Sequence, residues 1–237
     1  MEQYQNYADQ RYGQTCVYCH EKIETREHTP SRVFLDEPYP DNLPVVGACK
    51  KCNNGFSLNE EYMACLIECV ICGSTDIKKL KREKIKRILT TKPALREKLS
   101  QAVTEKEGVT FFSVEIPRVR QVVRKIAFCH ILYEFNLEVD VFFDDTACSD
   151  SIYTIPSMTE EDIQVFEDVA MRAIDVWPEV GSRAMQRLVV ACEQVYNESW
   201  IEVQEGRYRY SVRQENDAIE VRMVFSEYLA CIVRCSE

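Results

Sequence analysis

The sequence predicts an α+β protein in which a metal site organises the N-terminal part. Two Cys-x-x-Cys pairs lie near the start of the chain, Cys16 with Cys19 and Cys49 with Cys52. The segment after the second pair contains no proline and repeats its apolar residues at helical spacing. From Ser199 onward, short strand-like runs are separated by turn residues. These observations predict a ββα metal module, then a helical region, then a C-terminal antiparallel sheet.

Local signals bound the other predicted elements. Four of the eight prolines fall between Pro30 and Pro44, which predicts an irregular loop rather than a helix. The first helix is expected to run from about Cys52 to Cys72 and to stop at Gly73. Further helices are predicted over Pro93 to about Lys106, Pro117 to about Asn136, Thr159 to about Ala173, and 183–197. Strands are predicted at Val109–Glu115, Val139–Phe143, Ser199–Val203, Arg207–Arg213, Ala218–Ser226 and Tyr228–Arg234.

Composition and charge limit the classes of function. The formal net charge of the 237 residues is -10, which argues against a protein that coats nucleic acid by long-range attraction. The chain has no apolar run of about 18 residues and a polar N-terminus, so we expect neither a membrane span nor a secretory signal. A cytoplasmic protein without a membrane partner is therefore expected. In that reducing compartment, paired cysteines indicate metal ligands or buried thiols rather than disulfides.

The two Cys-x-x-Cys pairs predict a structural zinc site. A gap of two residues lets a tight turn present both sulfurs of a pair to one ion, and two pairs complete a tetrahedral shell. Thiolate ligands favour zinc or iron–sulfur chemistry over Mg²⁺, and nothing nearby indicates a redox role. Cys16, Cys19, Cys49 and Cys52 are therefore predicted to hold one structural Zn²⁺, against the alternative of four unrelated buried thiols.

The residues between and just after these pairs resemble a known enzyme family. After the first pair come an acid, a histidine and a proline, then an Asn-Leu step, then the second pair with an asparagine directly behind it. Over about residues 16–60 this combination resembles the HNH (ββα-metal, His-Me finger) endonucleases of the zinc-stabilised kind. The residues that carry the resemblance are Cys16, Cys19, Glu27, His28, Pro30, Asn42, Leu43, Cys49, Cys52 and Asn53.

The resemblance implies a role for each polar residue of the motif. His28 is implied as general base, because an unperturbed pKa of about 6.5 suits it to accept a proton from water at neutral pH. Asn42 is implied to position the catalytic loop. Glu27 and Asn53 are implied as ligands of one catalytic Mg²⁺ or Mn²⁺, which would stabilise the phosphate and the leaving oxygen. Glu60 is a rival ligand, whose simpler interpretation is a solvated helix surface.

The family often shows a histidine, or a lysine a few residues on, where this chain has Asn53 and Ser57. Arg32, Lys50 and Lys51 are substitutes within reach in sequence. The basic block at 78–87 predicts either contact with a nucleic-acid backbone or an exposed helix face. Four basic residues of a later helix would extend such a surface: Arg118, Arg120, Arg124 and Lys125. His130 in the same helix is expected to be structural.

The implied function is a metal-dependent endonuclease that hydrolyses phosphodiester bonds of DNA. Its alternative is a catalytically inactive zinc-binding adaptor or regulatory module, which the acidic net charge favours. Residues 1–74 are predicted to form a treble-clef-like ββα nuclease module. Residues 75–237 are predicted to form an α+β domain of unassigned role, through which a protein partner or a second copy of the chain can bind. A role of this protein in bacterial or phage defence is suggested only by the association of the resembled nuclease class with those systems.

Overall fold

The computed structural model describes residues 15–41, 43–137, 148–168, 176–191, 194–197, 200–215 and 218–236. Its α-helices in these ranges are α1 (Lys50–Ile71), α2 (Glu83–Thr91), α3 (Pro93–Gln101), α4 (Ile116–Phe135) and α5 (Glu160–Glu167). Its strands are β1 (Thr25–His28), β2 (Val45–Ala48), β3 (Val103–Lys106), β4 (Val109–Phe112), β5 (Cys148–Thr154), β6 (Leu188–Ala191), β7 (Gln194–Asn197), β8 (Ile201–Gln204), β9 (Tyr208–Glu215), β10 (Ala218–Phe225) and β11 (Leu229–Ser236). None of the helices in these ranges is long and apolar enough to cross a lipid bilayer.

The described residues form two compact units. The first contains residues up to Asn54 together with those from Val123 onward, and the second is Gly55–Val122. Both α1 and α4 run across a boundary between the units. This division differs from the predicted one at residues 74 and 75, because the chain returns to the first unit partway along α4.

The described part of the chain begins with two strands and a helix, in the predicted order. Strands β1 and β2 pair antiparallel, with Thr25 opposite Ala48 and His28 opposite Val45. In the part of the intervening loop that the structure describes, the one helical segment is a short 3-10 helix at Arg32–Phe34, as the prolines of the loop predict. Helix α1 begins two residues after β2 and ends before Gly73, whose positive φ of 59° fits the predicted stop.

The first unit also contains a five-stranded antiparallel sheet, in the order β5-β11-β10-β9-β8. The predicted C-terminal meander is confirmed as β8 to β11, and β5 adds an edge strand that was not predicted. One face of the sheet packs on α4, where His130 Nε2 lies 2.7 Å from the Tyr208 hydroxyl. On the other face Phe166 of α5 packs against Val224 and Ala230. The sheet therefore has a helix on each side.

Polar groups are buried between α4 and the sheet. The Tyr210 hydroxyl donates to Glu134 Oε1 over 2.5 Å, and the Ala184 amide donates to the other oxygen of that carboxylate. Burial raises the pKa of Glu134 and lowers the pKa of His130. His130 is fully buried and stacks on Tyr210, so its predicted structural role agrees with its surroundings.

One pair of cysteines departs from the expectation of free thiols. Cys148 on β5 and Cys235 on β11 form a disulfide. They are direct partners in the antiparallel register, with Cα atoms 4.2 Å apart. Directly opposite positions on paired strands bring side chains within bonding distance. The sequence could not supply this pairing, because 87 residues separate the two cysteines.

Two predicted helices are wrong in part. Val103–Lys106 forms β3 instead of the end of the helix from Pro93, because Glu107 and Gly108 adopt positive φ values and turn the chain into a hairpin with β4. In the range 183–197, Met185–Arg187 form a short 3-10 helix, and β6 and β7 pair antiparallel. The valines of that segment favour strands. The predicted strand at Val139–Phe143 and the predicted helical residues beyond Asp168 lie outside the described residues.

Candidate metal centre and the His28 site

The predicted sulfur cluster is present. The Sγ atoms of Cys16, Cys19, Cys49 and Cys52 all lie within 4.8 Å of one another. Cys19 Sγ and Cys49 Sγ are 3.7 Å apart. This agrees with the separation of about 3.8 Å between two sulfurs of a tetrahedral site whose metal–sulfur bonds are about 2.3 Å long. The donor set and its spacing therefore fit one metal ion held by four thiolates.

Backbone hydrogen bonds shape both turns of the cluster. Around the first pair, Thr15 and Lys22 form an antiparallel bridge, and the Cys16 amide donates to the Glu21 carbonyl over 2.7 Å. His20 closes the turn with a positive φ of 57°. At the second pair, the Cys52 amide points at Cys49 Sγ over 3.4 Å. Two tight turns thus present two sulfurs each, as the two-residue gaps predict.

The thiols of the cluster titrate differently because their surroundings differ. The Cys52 backbone N–H lowers the pKa of Cys49, because it donates to the thiolate form. Desolvation raises the pKa of Cys19 and of Cys52, and neighbouring sulfurs raise that of Cys52 further. Four thiolates at this spacing repel one another, so a bound cation is what lets all four ionise together.

The two residues between Cys16 and Cys19 anchor the first turn in the protein core. Tyr18 is almost fully buried, and its hydroxyl lies 3.0 Å from Cys129 Sγ on α4. The amide of Val17 donates to the Gly47 carbonyl over 3.1 Å, which joins the turn to β2. The metal centre is therefore packed against the larger core of its unit and is not an isolated knuckle.

His28 lies at the end of β1, half-buried, with an arginine against its ring. Arg32 Nη2 and His28 Nε2 are 2.8 Å apart. Desolvation and the charges of Arg32 and Arg26 lower the pKa of His28 to about 4. The imidazole is therefore neutral near pH 7. Because a guanidinium only donates hydrogen bonds, Nε2 is the acceptor and the ring proton lies on Nδ1.

Glu27 is buried and held by a lysine from α4. Lys125 Nζ lies 3.0 Å from Glu27 Oε1, and both side chains are almost inaccessible to solvent. The Ser31 hydroxyl donates to the same oxygen over 3.3 Å and accepts from Lys125 Nζ over 3.2 Å. The carboxylate predicted to bind a divalent ion thus has an ammonium partner, and it does not fit a metal ligand unless Lys125 is exchanged for the ion.

Asn53 follows the last cysteine on the first turn of α1. Its Nδ2 donates to the Thr25 hydroxyl over 3.0 Å, and that hydroxyl donates to the Ala48 carbonyl. The side-chain oxygen of Asn53 has no hydrogen-bond donor among the described residues. An oxygen in that state fits a hard divalent cation. Asn42, the predicted positioning residue, lies outside the described residues.

The structure brings some of the predicted site residues together and leaves others apart. Thr25 and Glu27 lie on one face of β1, and Arg26 and His28 lie on the other, because successive strand residues alternate. Asn53 contacts Thr25, and no hydrogen bond joins it to His28 within the described ranges. The expectation that Glu60 lies on a solvated surface is wrong, since it is buried on α1.

Two of the basic residues predicted to extend a nucleic-acid surface are not exposed. Lys125 is buried with Glu27, and Arg124 Nε donates to Asp150 over 2.7 Å. The burial of Lys125 could have been predicted from the sequence. It falls three residues after Val122 and four before Cys129, so helical spacing puts it on the apolar face of α4.

Comparison with protein-family models, with curated proteins and with solved structures finds no match for this chain. The resemblance to HNH endonucleases therefore rests on the motif residues. The four-cysteine cluster is the part of the resemblance that the structure bears out.

Proposed function

We propose that the protein is a metal-dependent endonuclease that hydrolyses phosphodiester bonds of DNA, with His28 as general base. The observation that carries the proposal is a half-buried imidazole with an arginine at its acceptor nitrogen, on the strand beside a four-sulfur cluster. A base must be unprotonated at working pH, and a scissile phosphate needs a nearby cation. His28 and Arg32 supply these two requirements.

In the proposed site the four cysteines hold Zn²⁺ in a structural role. Four protein sulfurs leave no open position on a tetrahedral ion, so the ion takes no part in the reaction. Its contribution is to hold the end of β2 and the first turn of α1 close to β1. Asn53 is attached to the cluster through Cys52, its neighbour, and to β1 through Thr25.

The proposed reaction begins with proton transfer from water to Nε2 of His28. The hydroxide formed attacks phosphorus and the bond to the 3′ oxygen breaks. The 3′ oxygen takes a proton from solvent, and His28 later returns its proton to solvent. The products are a 5′-phosphate and a 3′-hydroxyl, as the family resemblance implies.

Arg32 has to leave Nε2 before water can reach it, because the nitrogen has a single lone pair. A phosphate oxygen is a stronger acceptor for a guanidinium than a neutral imidazole, because both partners are charged. Binding of the substrate phosphate therefore draws Arg32 away from His28. The same movement frees the base and places a cation on the phosphate.

Asn53, and Glu27 if Lys125 is displaced, are the proposed protein ligands of a catalytic Mg²⁺ or Mn²⁺. Such an ion, when bound, stabilises negative charge on the phosphate and the leaving oxygen. The oxygen of Asn53 is suited to this role, and its amide nitrogen is fixed by Thr25.

The proposal is tested by plasmid cleavage with Mg²⁺ or Mn²⁺. His28→Ala is expected to lower the cleavage rate by about 10²–10⁴-fold, because general-base catalysis is lost. The metal content of the variant and its circular dichroism spectrum should match those of the wild type. A variant that cuts at the wild-type rate, or a wild-type protein that cuts with neither ion, would overturn the proposal.

Arg32→Ala is a separate test of the phosphate contact. We expect the cleavage rate to fall by about 10²-fold, since removal of one group that stabilises transition-state charge costs this much. Arg187→Ala is the matched control, because it removes an exposed arginine of the same unit. Equal rates in the two variants would mean that Arg32 does not contact the phosphate.

The second candidate is the zinc-binding adaptor without catalysis. The specific observation in its favour is the buried ion pair between Glu27 and Lys125, which gives the carboxylate a partner without any divalent ion. It predicts one bound zinc per chain and no cleavage by the wild type with any divalent ion. Metal analysis and the plasmid assay on the same preparation separate the two candidates.

A further inference from the structure

Basic charge is concentrated in the second unit, against the overall sign of the chain. Residues 55–122 contain thirteen Lys and Arg and nine Asp and Glu, a formal charge of +4 in a chain of net charge -10. The remaining residues therefore carry -14. Within the second unit, residues 77–98 contain ten basic and two acidic residues. The net charge of the whole chain therefore does not show that the two units carry formal charges of opposite sign.

The basic residues fall on three consecutive helical elements, a 3-10 helix (Ile77–Lys79), α2 and α3. Buried Ile85 and Leu89 put one face of α2 in the core, and Leu99 does the same for α3. The Ser100 hydroxyl donates to Thr75 Oγ1 over 2.9 Å, which brings the end of α3 back to the segment before the 3-10 helix. The three elements thus form one compact cluster.

A buried carboxylate fixes the start of α2 within this cluster. Glu68 on α1 is almost inaccessible, and its Oε1 accepts from the backbone amides of Lys81 and Arg82 over 2.6 and 2.9 Å. The carboxylate uses the amides, so the ammonium of Lys81 stays exposed. The lysines on either side of Leu80 are therefore presented from an ordered backbone.

Eight of the ten basic side chains of the cluster fall into two groups, and the other two, Arg82 and Lys84, are buried and half-buried. In the first, three lysines are held by carboxylates: Lys86 by Glu83, Lys92 by Glu61 and Lys98 by Glu115. In the second, the side chains are exposed and make no ion pair with any described residue. These are Lys78, Lys79, Lys81, Arg87 and Arg96.

We infer that this second group, the free basic cluster, binds the phosphate backbone of duplex DNA. An exposed set of cations without carboxylate partners releases counterions from DNA when it binds, which is the main source of sequence-independent affinity. The formal charge of -14 on the remaining residues opposes long-range attraction of DNA to the first unit, so the sequence-independent part of the affinity is expected to come from the second unit. The inference rests on the proposed nuclease function for its choice of polyanion.

The test measures binding of a short labelled DNA duplex to full-length protein by fluorescence anisotropy. All variants carry His28→Ala and no Mg²⁺ is added, so the duplex is not cut. The triple variant Lys78→Ala/Lys79→Ala/Lys81→Ala is expected to bind on the order of 10-fold more weakly at low salt. Its slope of log affinity against log salt, taken between about 50 and 200 mM, should be smaller by about 3.

The matched control is Lys86→Ala/Lys92→Ala/Lys98→Ala, which changes the net charge of the same unit by the same amount. Its salt slope should stay close to that of the parent, because those ammonium groups already face carboxylates. Circular dichroism and thermal unfolding check that both triple variants fold.

The possible results separate this inference from the proposed function. Salt-dependent DNA binding that is lost in the free-cluster variant supports the inference, even if the wild type never cuts DNA. Absence of binding at low salt, or equal changes of slope in the two triple variants, refutes it. Cleavage by the wild type with unaltered DNA binding in the free-cluster variant refutes it while leaving the nuclease proposal intact. Binding of RNA but not duplex DNA refutes it as stated.

Discussion

Cys49→Ala is expected to abolish metal binding and to unfold the part of the first unit built around β1 and β2. Cys49 Sγ is surrounded by the three other sulfurs of the cluster, so its loss leaves an incomplete site. Binding of a structural zinc ion contributes on the order of 10 kcal/mol to folding of such a segment. The two strands of this segment are only four residues long, so their pairing alone contributes little to its stability.

Metal analysis by mass spectrometry and thermal unfolding check the prediction for Cys49→Ala. Cys72→Ala is the matched control, because Cys72 is a half-buried cysteine outside the cluster. It should keep one metal ion per chain and nearly the wild-type melting temperature. If Cys49→Ala retained its ion with an unchanged melting temperature, the four sulfurs would not be the metal site.

Lys125→Met is expected to lower the free energy of unfolding by about 3–5 kcal/mol, because it leaves the Glu27 carboxylate buried without its cation. The Ser31 hydroxyl still donates to the carboxylate, but it cannot neutralise it. The double variant Glu27→Gln/Lys125→Met removes both charges and should recover much of the loss, as for other buried pairs replaced together.

Chemical denaturation of the single and double variants measures this coupling. Lys98→Met is the control, because it breaks an ion pair with Glu115 that is largely exposed, and it should cost at most about 1 kcal/mol. A Lys125→Met protein as stable as the control would contradict the burial of the pair. Recovery in the double variant would show that the charges, not the packing of the lysine stem, carry the effect.

Local patterns were sufficient for much of the fold. The cysteine spacing predicted the sulfur cluster, because a two-residue gap has few backbone solutions. Proline and glycine positions marked the ends of α1 and α4 closely. The capping box of α5 was visible as Thr159 followed by Asp162, and the structure has both of its hydrogen bonds. Each of these features is decided within a few residues.

Long-range partners could not be predicted from such patterns. Glu27 and Lys125 are 98 residues apart in sequence, and neither residue alone indicates the other. The pairing of β5 with β11 likewise joins segments that are far apart in sequence, and neither segment indicates the other. Residues 183–197 were predicted as a helix, but Leu188–Ala191 and Gln194–Asn197 pair as strands. Arg32 was considered for phosphate contact, but its contact with His28 depends on how the proline-rich loop folds.

The contact between Tyr18 and Cys129 joins the metal-binding turn directly to α4. Cys129 lies one helical turn beyond Lys125, whose ammonium reaches back to β1. Demetallation would therefore loosen more than the turn itself. Loss of the metal ion would therefore weaken two contacts of β1, the one that Asn53 makes with Thr25 and the one that Lys125 makes with Glu27.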